Sequence, residues 1–193
     1  AEDNIQVANA TTAGQFFHLL RRQILRDVRT PLVVFTPKSG LRARWSRSPV
    51  SALTSGSFEE ILDIGNPEDP SAVRRIILAS GKVAVEAEAH RNEIGAPAAV
   101  LRVEQLYPWP FESVANAVAK YDQATEIVWL QEEPENMGAW NKVKGDLFRA
   151  HGETHDVRRV SRTESASPAT GSAAVHRQEQ AELMSRAFSV IPD

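Results

Sequence analysis

Residues 73–134 read VRRIILASGKVAVEAEAHRNEIGAPAAVLRVEQLYPWPFESVANAVAKYDQATEIVWLQEEP, and this stretch decides the fold class. Three runs in it, VRRIILAS (73–80), PAAVLRVE (97–104) and EIVWLQEE (126–133), are short, aliphatic and rich in β-branched residues, as strands buried on both faces are. Between them apolar residues return at helical spacing, first through Val83, Ala87 and His90, then through Phe111, Val114, Val118 and Tyr121. Parallel strands need a crossover of a dozen residues or more, so strands alternating with helices predict a mostly parallel sheet covered on both faces.

The alternation continues downstream. Trp140, Val143, Leu147 and Phe148 predict an interrupted helix, DVRRVS (156–161) a fourth and more polar strand, 161–172 a small-residue loop, and Val175, Glu179, Leu183 and Phe188 a last helix. Upstream, NIQV (4–7) reads as a short strand and Thr11 or Thr12 as the cap of a helix. Phe16, Leu20, Ile24 and Val28 form that helix's apolar face, widened by Phe17 and Leu25, with its end expected before Pro31. PLVVF (31–35) then reads as a buried strand and TPKSG (36–40) as a turn. From 42 to about 70 periodicity fails, and serine, proline and glycine dominate apart from FEEIL (58–62), which is expected to pack locally. This predicts a first unit over 1–45, a linker over 46–70 and a second unit over 71–193.

With 193 residues, 42% apolar and 24% charged, the chain has an ordinary globular composition and enough length to bury a core. It has no cysteine, which excludes disulfides, thiolate zinc sites, iron–sulfur clusters and cysteine nucleophiles. LVVF and IILA are far too short to span a bilayer, and AEDNIQVANA has no basic start followed by an apolar run. The net charge of −3 gives no general argument for nucleic acid. Charge is nevertheless uneven: residues 21–47 hold Arg21, Arg22, Arg26, Arg29, Lys38, Arg42, Arg44 and Arg47 against Asp27 alone. Such a run suits an anion or an acidic partner, or a solvated face; with only Trp45 among the later arginines, it lacks the interleaved aromatics of a single-strand binder.

Several motifs carry chemistry in principle. Ser80-Gly81-Lys82 lies where a parallel strand hands over to a helix, a place that favours anions, but no glycine stands five positions before Gly81 to complete a phosphate loop. His151 and His155 in HGETH have the spacing of two metal ligands on one helix face, yet Gly152 takes the place of the glutamate in HExxH and no third ligand is apparent. Glu132, Glu133 and Glu135 cluster after a buried strand, where they can serve acid–base chemistry, cap the next helix or pair with Arg158 and Arg159. No GxSxG or GxGxxG is present, so neither a serine hydrolase nor a dinucleotide enzyme is supported.

Taken together, TTAGQFFHLLRRQ, PLVVFTPKSGLR, ILASGKV, LRVEQLYPWP, VWLQEEPENMGAW and SASPATGSAAVHRQEQ resemble, in order, the C-terminal part of thiamine diphosphate-dependent 2-oxoglutarate dehydrogenases. The resemblance implies that 1–45 ends a pyrimidine-binding domain. It also implies that 71–193 is a transketolase-like C-terminal domain, a three-layer α/β/α unit with a mostly parallel sheet. The parent enzyme would be a cytoplasmic homodimer of the citric acid cycle that uses thiamine diphosphate and Mg2+ and serves a lipoyl-bearing succinyltransferase, with neither nucleic acid nor membrane as partner. Its catalytic, cofactor and metal residues would lie upstream, leaving none on this chain and making the chain alone inactive. His18 receives no catalytic role.

The same resemblance places Thr12 and Gln105 at a site for nucleotide-like effectors. There Ser57, Glu60, Glu112 and Ser113 replace the basic and hydroxyl groups expected, which argues against acetyl-coenzyme A, while Arg21, Arg22 and Arg26 suit a smaller anion such as AMP. Tyr107, Glu132, Glu133 and Trp140 fall in loops expected to shape the active-site entrance or an interface. A chain without an initiator methionine, opening on a strand that needs neighbours, is expected to be a fragment with much exposed apolar surface. A free-standing docking module, or the same part of a dehydrogenase for another 2-oxo acid, are the alternatives.

Overall fold

The computed structural model describes residues 2–189. Its elements are β1 (Gln6–Ala8), α1 (Ala13–Leu25), β2 (Leu32–Val34), the single turn α2 (Ser51–Thr54), β3 (Ile61–Leu62), β4 (Arg75–Ala79), α3 (Lys82–Ile94) and β5 (Ala98–Val103). They continue with β6 (Gln105–Tyr107), α4 (Phe111–Ala119), β7 (Glu126–Pro134), α5 (Trp140–His151), β8 (Asp156–Arg162) and α6 (Ala173–Phe188). Five strands form one sheet in the order β3-β5-β4-β7-β8, parallel except for the edge strand β3. A second sheet has the order β2-β1-β6, with β1 parallel to β2 and antiparallel to β6.

The period-2 geometry of a strand explains why the central runs are apolar throughout. Ile76 and Leu78 point to one side, with Leu101, Ile127 and Trp129 beside them and Val114, Val118, Val143 and Leu147 of α4 and α5 above. Ile77 and Ala79 point to the other, with Val100, Val128 and Leu130 beside them and Val83, Ala87, Leu183 and Met184 of α3 and α6 below. Both faces are therefore covered, as the alternation predicted, and each fully buried aliphatic side chain contributes about 1.5–3 kcal/mol. Among the described residues no helix is long and apolar enough to cross a membrane.

Several local expectations are corrected. The run 31–35 is not buried: β2 is an edge strand of a three-stranded sheet, and Val33 and Phe35 are 40% and 52% exposed. Helix α1 does end before Pro31, but already at Leu25 with Arg26 extended, so Val28 lies beyond it and not on its apolar face. Its buried residues are Gly14, Gln15, His18 and Leu19, whereas Phe16, Phe17, Leu20 and Ile24 lie open, Ile24 by 72%. The reason is polar: Gln15 donates to the Glu59 carbonyl at 2.5 Å, and His18 Nε2 meets the Ala52 carbonyl at 2.9 Å, fixing that side inward. Helix α5 is continuous. FEEIL contributes β3, and the QLY of EQLYP leaves the large sheet to become β6, a strand that its three residues did not announce.

Candidate functional site

Two concave regions gather the residues singled out above. The first, about 380 Å³, lies between α1 and the region around β3 and α4, and is lined by Arg22, Arg26, Phe58, Glu60, Ser113 and Lys120 among others. Arg22 is positioned by its helix over the Phe58 ring, 4.2 Å from the centroid, and donates from Nη2 to Gln105 Oε1 at 2.6 Å. Burial, with Arg26 nearby, pulls its guanidinium down to about 10 against the attraction of Glu60 at 3.7 Å. Gln105 in turn donates to Glu60 Oε1 at 3.1 Å and to the Pro108 carbonyl at 2.9 Å, and Ser113 donates to Glu60 Oε2 at 2.8 Å. Glu60 thus stands where an incoming anion would sit, and an anion must share or displace it. Arg22, Arg26 and Gln105 converge here, and Arg21 joins the same Arg22 and Arg26 in an adjoining groove that also touches His18, Ser57 and Phe58, whereas Thr12 caps the opposite end of α1 by accepting from the Gln15 amide.

The second region, about 640 Å³, opens at the carboxyl ends of β4 and β7 and is roofed by the small sheet. Tyr107, Glu132 and Glu133 line it together with Ser80 and Lys82. Burial raises the Glu132 carboxyl above its ordinary value, with Lys82 opposing and Glu133 reinforcing. Lys142 lies 5.5 Å from the Tyr107 ring centroid. Trp140 lies behind this wall, mostly buried, against Phe148 at 6.2 Å and under Arg159 at 5.9 Å. The loop between β7 and α5 is shaped by Gln131, which sequence reasoning missed. Its Oε1 accepts from the Trp129 indole at 3.1 Å and the Trp140 amide at 3.0 Å, while Nε2 donates to the Met137 carbonyl at 2.8 Å. Of the clustered carboxylates, Glu135 pairs with Arg159 at 2.9 Å, the structural role weighed for it.

Glu104 was also missed. It is fully buried at the break between β5 and β6, where its carboxylate accepts from the Thr11 amide at 2.8 Å and the Thr11 hydroxyl at 2.5 Å. Arg102, two residues earlier, donates to the same hydroxyl at 3.2 Å and forms a two-pronged pair with Glu88 of α3. Two charged residues, Arg102 and Glu104, at the end of an otherwise apolar run were the available signal. His151 and His155 stack edge to face at 5.8 Å, both imidazoles held below their ordinary value chiefly by burial. Among the described residues no three carboxylate, imidazole or thiolate groups converge as a metal site requires.

Residues 47–188 match the family model described as 2-oxoglutarate dehydrogenase C-terminal. Over 190 residues the chain is 44% identical to a protein of Cupriavidus necator named 2-oxoglutarate dehydrogenase E1 component, covering 98% of the chain and 20% of that relative. It is 41% identical to the Azotobacter vinelandii protein of the same name, over 98% of the chain and 21% of the relative. It is 43% identical to a Caenorhabditis briggsae protein named 2-oxoglutarate dehydrogenase, mitochondrial, over 98% and 19%. The chain spans about one fifth of the length of these curated relatives. With a family model covering most of its residues and relatives matched from end to end of the described fold, the chain belongs to the 2-oxoglutarate dehydrogenase family, as its C-terminal region.

Proposed function

We propose that this chain is the supporting C-terminal part of an enzyme that decarboxylates 2-oxoglutarate and passes the remaining succinyl unit to a lipoyl carrier in the citric acid cycle. The 44% identity over nearly the whole chain to a protein named for that activity carries the reading. In this reading 1–45 closes a pyrimidine-binding domain, 46–70 links, and 71–193 is a transketolase-like domain of a cytoplasmic homodimer that meets a lipoyl-bearing succinyltransferase. Thiamine diphosphate would supply the electron sink of the parent reaction, with Mg2+ as its companion ion. The donor sets among this chain's described residues do not fit Mg2+, since no three potential ligands converge.

What this chain's residues do is position. Gln131 holds the loop that carries Glu132 and Glu133, and with Tyr107 these shape one wall of the approach to the reactive centre. Arg22, Arg26 and Gln105 hold a small anionic effector such as AMP, in competition with Glu60. The exposed face of Phe16, Phe17, Leu20 and Ile24 favours this reading over a free-standing module, which would be expected to cover so contiguous an apolar strip.

The test is turnover by the intact polypeptide that carries this sequence, supplied with thiamine diphosphate and Mg2+ and offered 2-oxoglutarate or pyruvate. Turnover of 2-oxoglutarate is expected, with none from the 193-residue chain alone. A preference for pyruvate, or turnover by the chain alone, refutes the reading. For the effector, calorimetry with AMP gives heat that Arg22→Gln removes; no heat from the unaltered protein refutes that role.

A further inference from the structure

We propose that Glu104 and Thr11 form a proton-operated clasp between the small sheet with its helix and the large sheet: the protonated carboxyl holds the start of α1 in place, and loss of that proton frees it. The clasp sits at a joint. Glu104 is the one residue between β5, which belongs to the five-stranded sheet, and β6, which pairs with β1 in the small one. Its carbonyl accepts from the Asn9 amide at 2.8 Å, and its amide donates to the Glu60 carbonyl at 2.9 Å. Thr11, just before the cap of α1, meets the carboxyl with both its amide and its hydroxyl. Gln105 follows directly and holds Arg22, so the clasp lies between the large sheet and the arginine pocket.

Charge counting shows why a proton belongs here. Two carboxylates, Glu88 and Glu104, share one guanidinium; Glu104 and Arg102 are buried and the Glu88 side chain nearly so. Arg102 spends both prongs on Glu88, with Nε donating at 2.5 Å. It reaches Glu104 only through the Thr11 hydroxyl, to which its Nη1 donates at 3.2 Å. The groups that act on Glu104 are Thr11 and Gln15 from the α1 side, Arg102 from β5 and, behind Arg102, Glu88 of α3. Glu60 touches it through the backbone and turns its own carboxylate to Gln105 and Ser113. A dry carboxylate with no cation of its own is costly, and taking up one proton removes that cost.

The same geometry gives the clasp its direction. Protonated, one carboxyl oxygen donates to the Thr11 hydroxyl while the other still accepts from the Thr11 amide. In place, the carboxyl holds its proton up to about 7; opened to water it returns toward its ordinary 4.5 and lets the proton go. Opening the joint therefore releases a proton between those two values. It becomes easier as pH rises through that window and levels off above it.

The test is amide hydrogen exchange of the intact polypeptide at pH 5, 6, 7 and 8, each rate divided by that of an unstructured peptide at the same pH. Protection over residues 9–16 is expected to fall by about tenfold or more between pH 5 and 7 and to level off by pH 8. Residues 75–79 of β4, held by the rest of the large sheet, change less. Glu104→Gln keeps its protection over 9–16 throughout. Thr11→Val removes a hydroxyl that favours the charged carboxyl and so moves the fall to higher pH, whereas loss of a merely structural contact lowers protection alike at every pH. Constant protection over 9–16 between pH 5 and 7, an equal fall over 75–79, the same fall in Glu104→Gln, or a fall that Thr11→Val leaves in place or moves to lower pH overturns the proposal. Because none of these readings requires 2-oxoglutarate, its failure is separate from failure of the proposed activity.

Discussion

Glu104 offers the sharpest perturbation, because replacing it with glutamine changes one proton and little shape. Burial pushes its carboxyl from an ordinary 4.5 up to about 7, even though the Thr11 amide and hydroxyl and the Arg102 guanidinium all favour the charged form. In the folded protein the proton is therefore held more tightly than in the unfolded chain. The folded state binds more protons between those two values, and stability falls as pH rises through that window. The contribution is fully present below 4.5 and lost above 7; at 1.36 kcal/mol for each tenfold in proton affinity, ionisation costs about 3 kcal/mol. Glutamine accepts from the Thr11 amide through its carbonyl and donates to the Thr11 hydroxyl, so the contacts survive while the titration disappears.

Urea unfolding followed by tryptophan fluorescence at pH 5, 6, 7 and 8 reads the difference between Glu104→Gln and the unaltered chain. The variant is expected to be more stable by about 3 kcal/mol at pH 8, with the advantage vanishing toward pH 5. His151 and His155, both held below their ordinary value, titrate in the opposite sense, but they do so in both proteins and cancel in the difference. A difference independent of pH between 5 and 8 refutes the reasoning.

Two further outcomes follow from packing. Leu78, fully buried between β5 and β7 and beneath α4 and α5, leaves a cavity when cut to alanine, and Leu78→Ala is expected to lower unfolding stability by about 2–5 kcal/mol in the same assay. Gly81→Ala is expected to cost about 1–3 kcal/mol from backbone strain before the collision with Asn9 is counted, seen as a lowered thermal midpoint; Gly145→Ala, in the open interior of α5, should not lower it.

How much was legible depends on whether the information is local. The buried strands announced themselves because both faces of β4, β5 and β7 are apolar and their side chains have one environment, the core. The cap of α1 was legible for the same reason: Thr12, one of the two threonines expected there, needs only the amide three residues on. The arginine pocket was legible in part, because Arg21, Arg22 and Arg26 crowd the last turn and the end of one helix, whereas Thr12 sits at its start and Gln105 arrives from β6.

The remainder rests on contacts between distant residues. Which face of α1 turns inward is settled by Gln15 and His18 finding carbonyls 34 to 44 residues away, a pairing that outweighs the apolar stripe. Glu104 and Thr11 meet across 93 residues. The sequence by itself determined the class of fold, through apolar runs and periodicities that every residue reports about its own neighbourhood. Only the tertiary structure decided the crevice at the end of β4 and β7, the departure of β6 into a second sheet and the burial of Glu104, because each depends on which remote carbonyl, amide or carboxylate arrives opposite a given side chain.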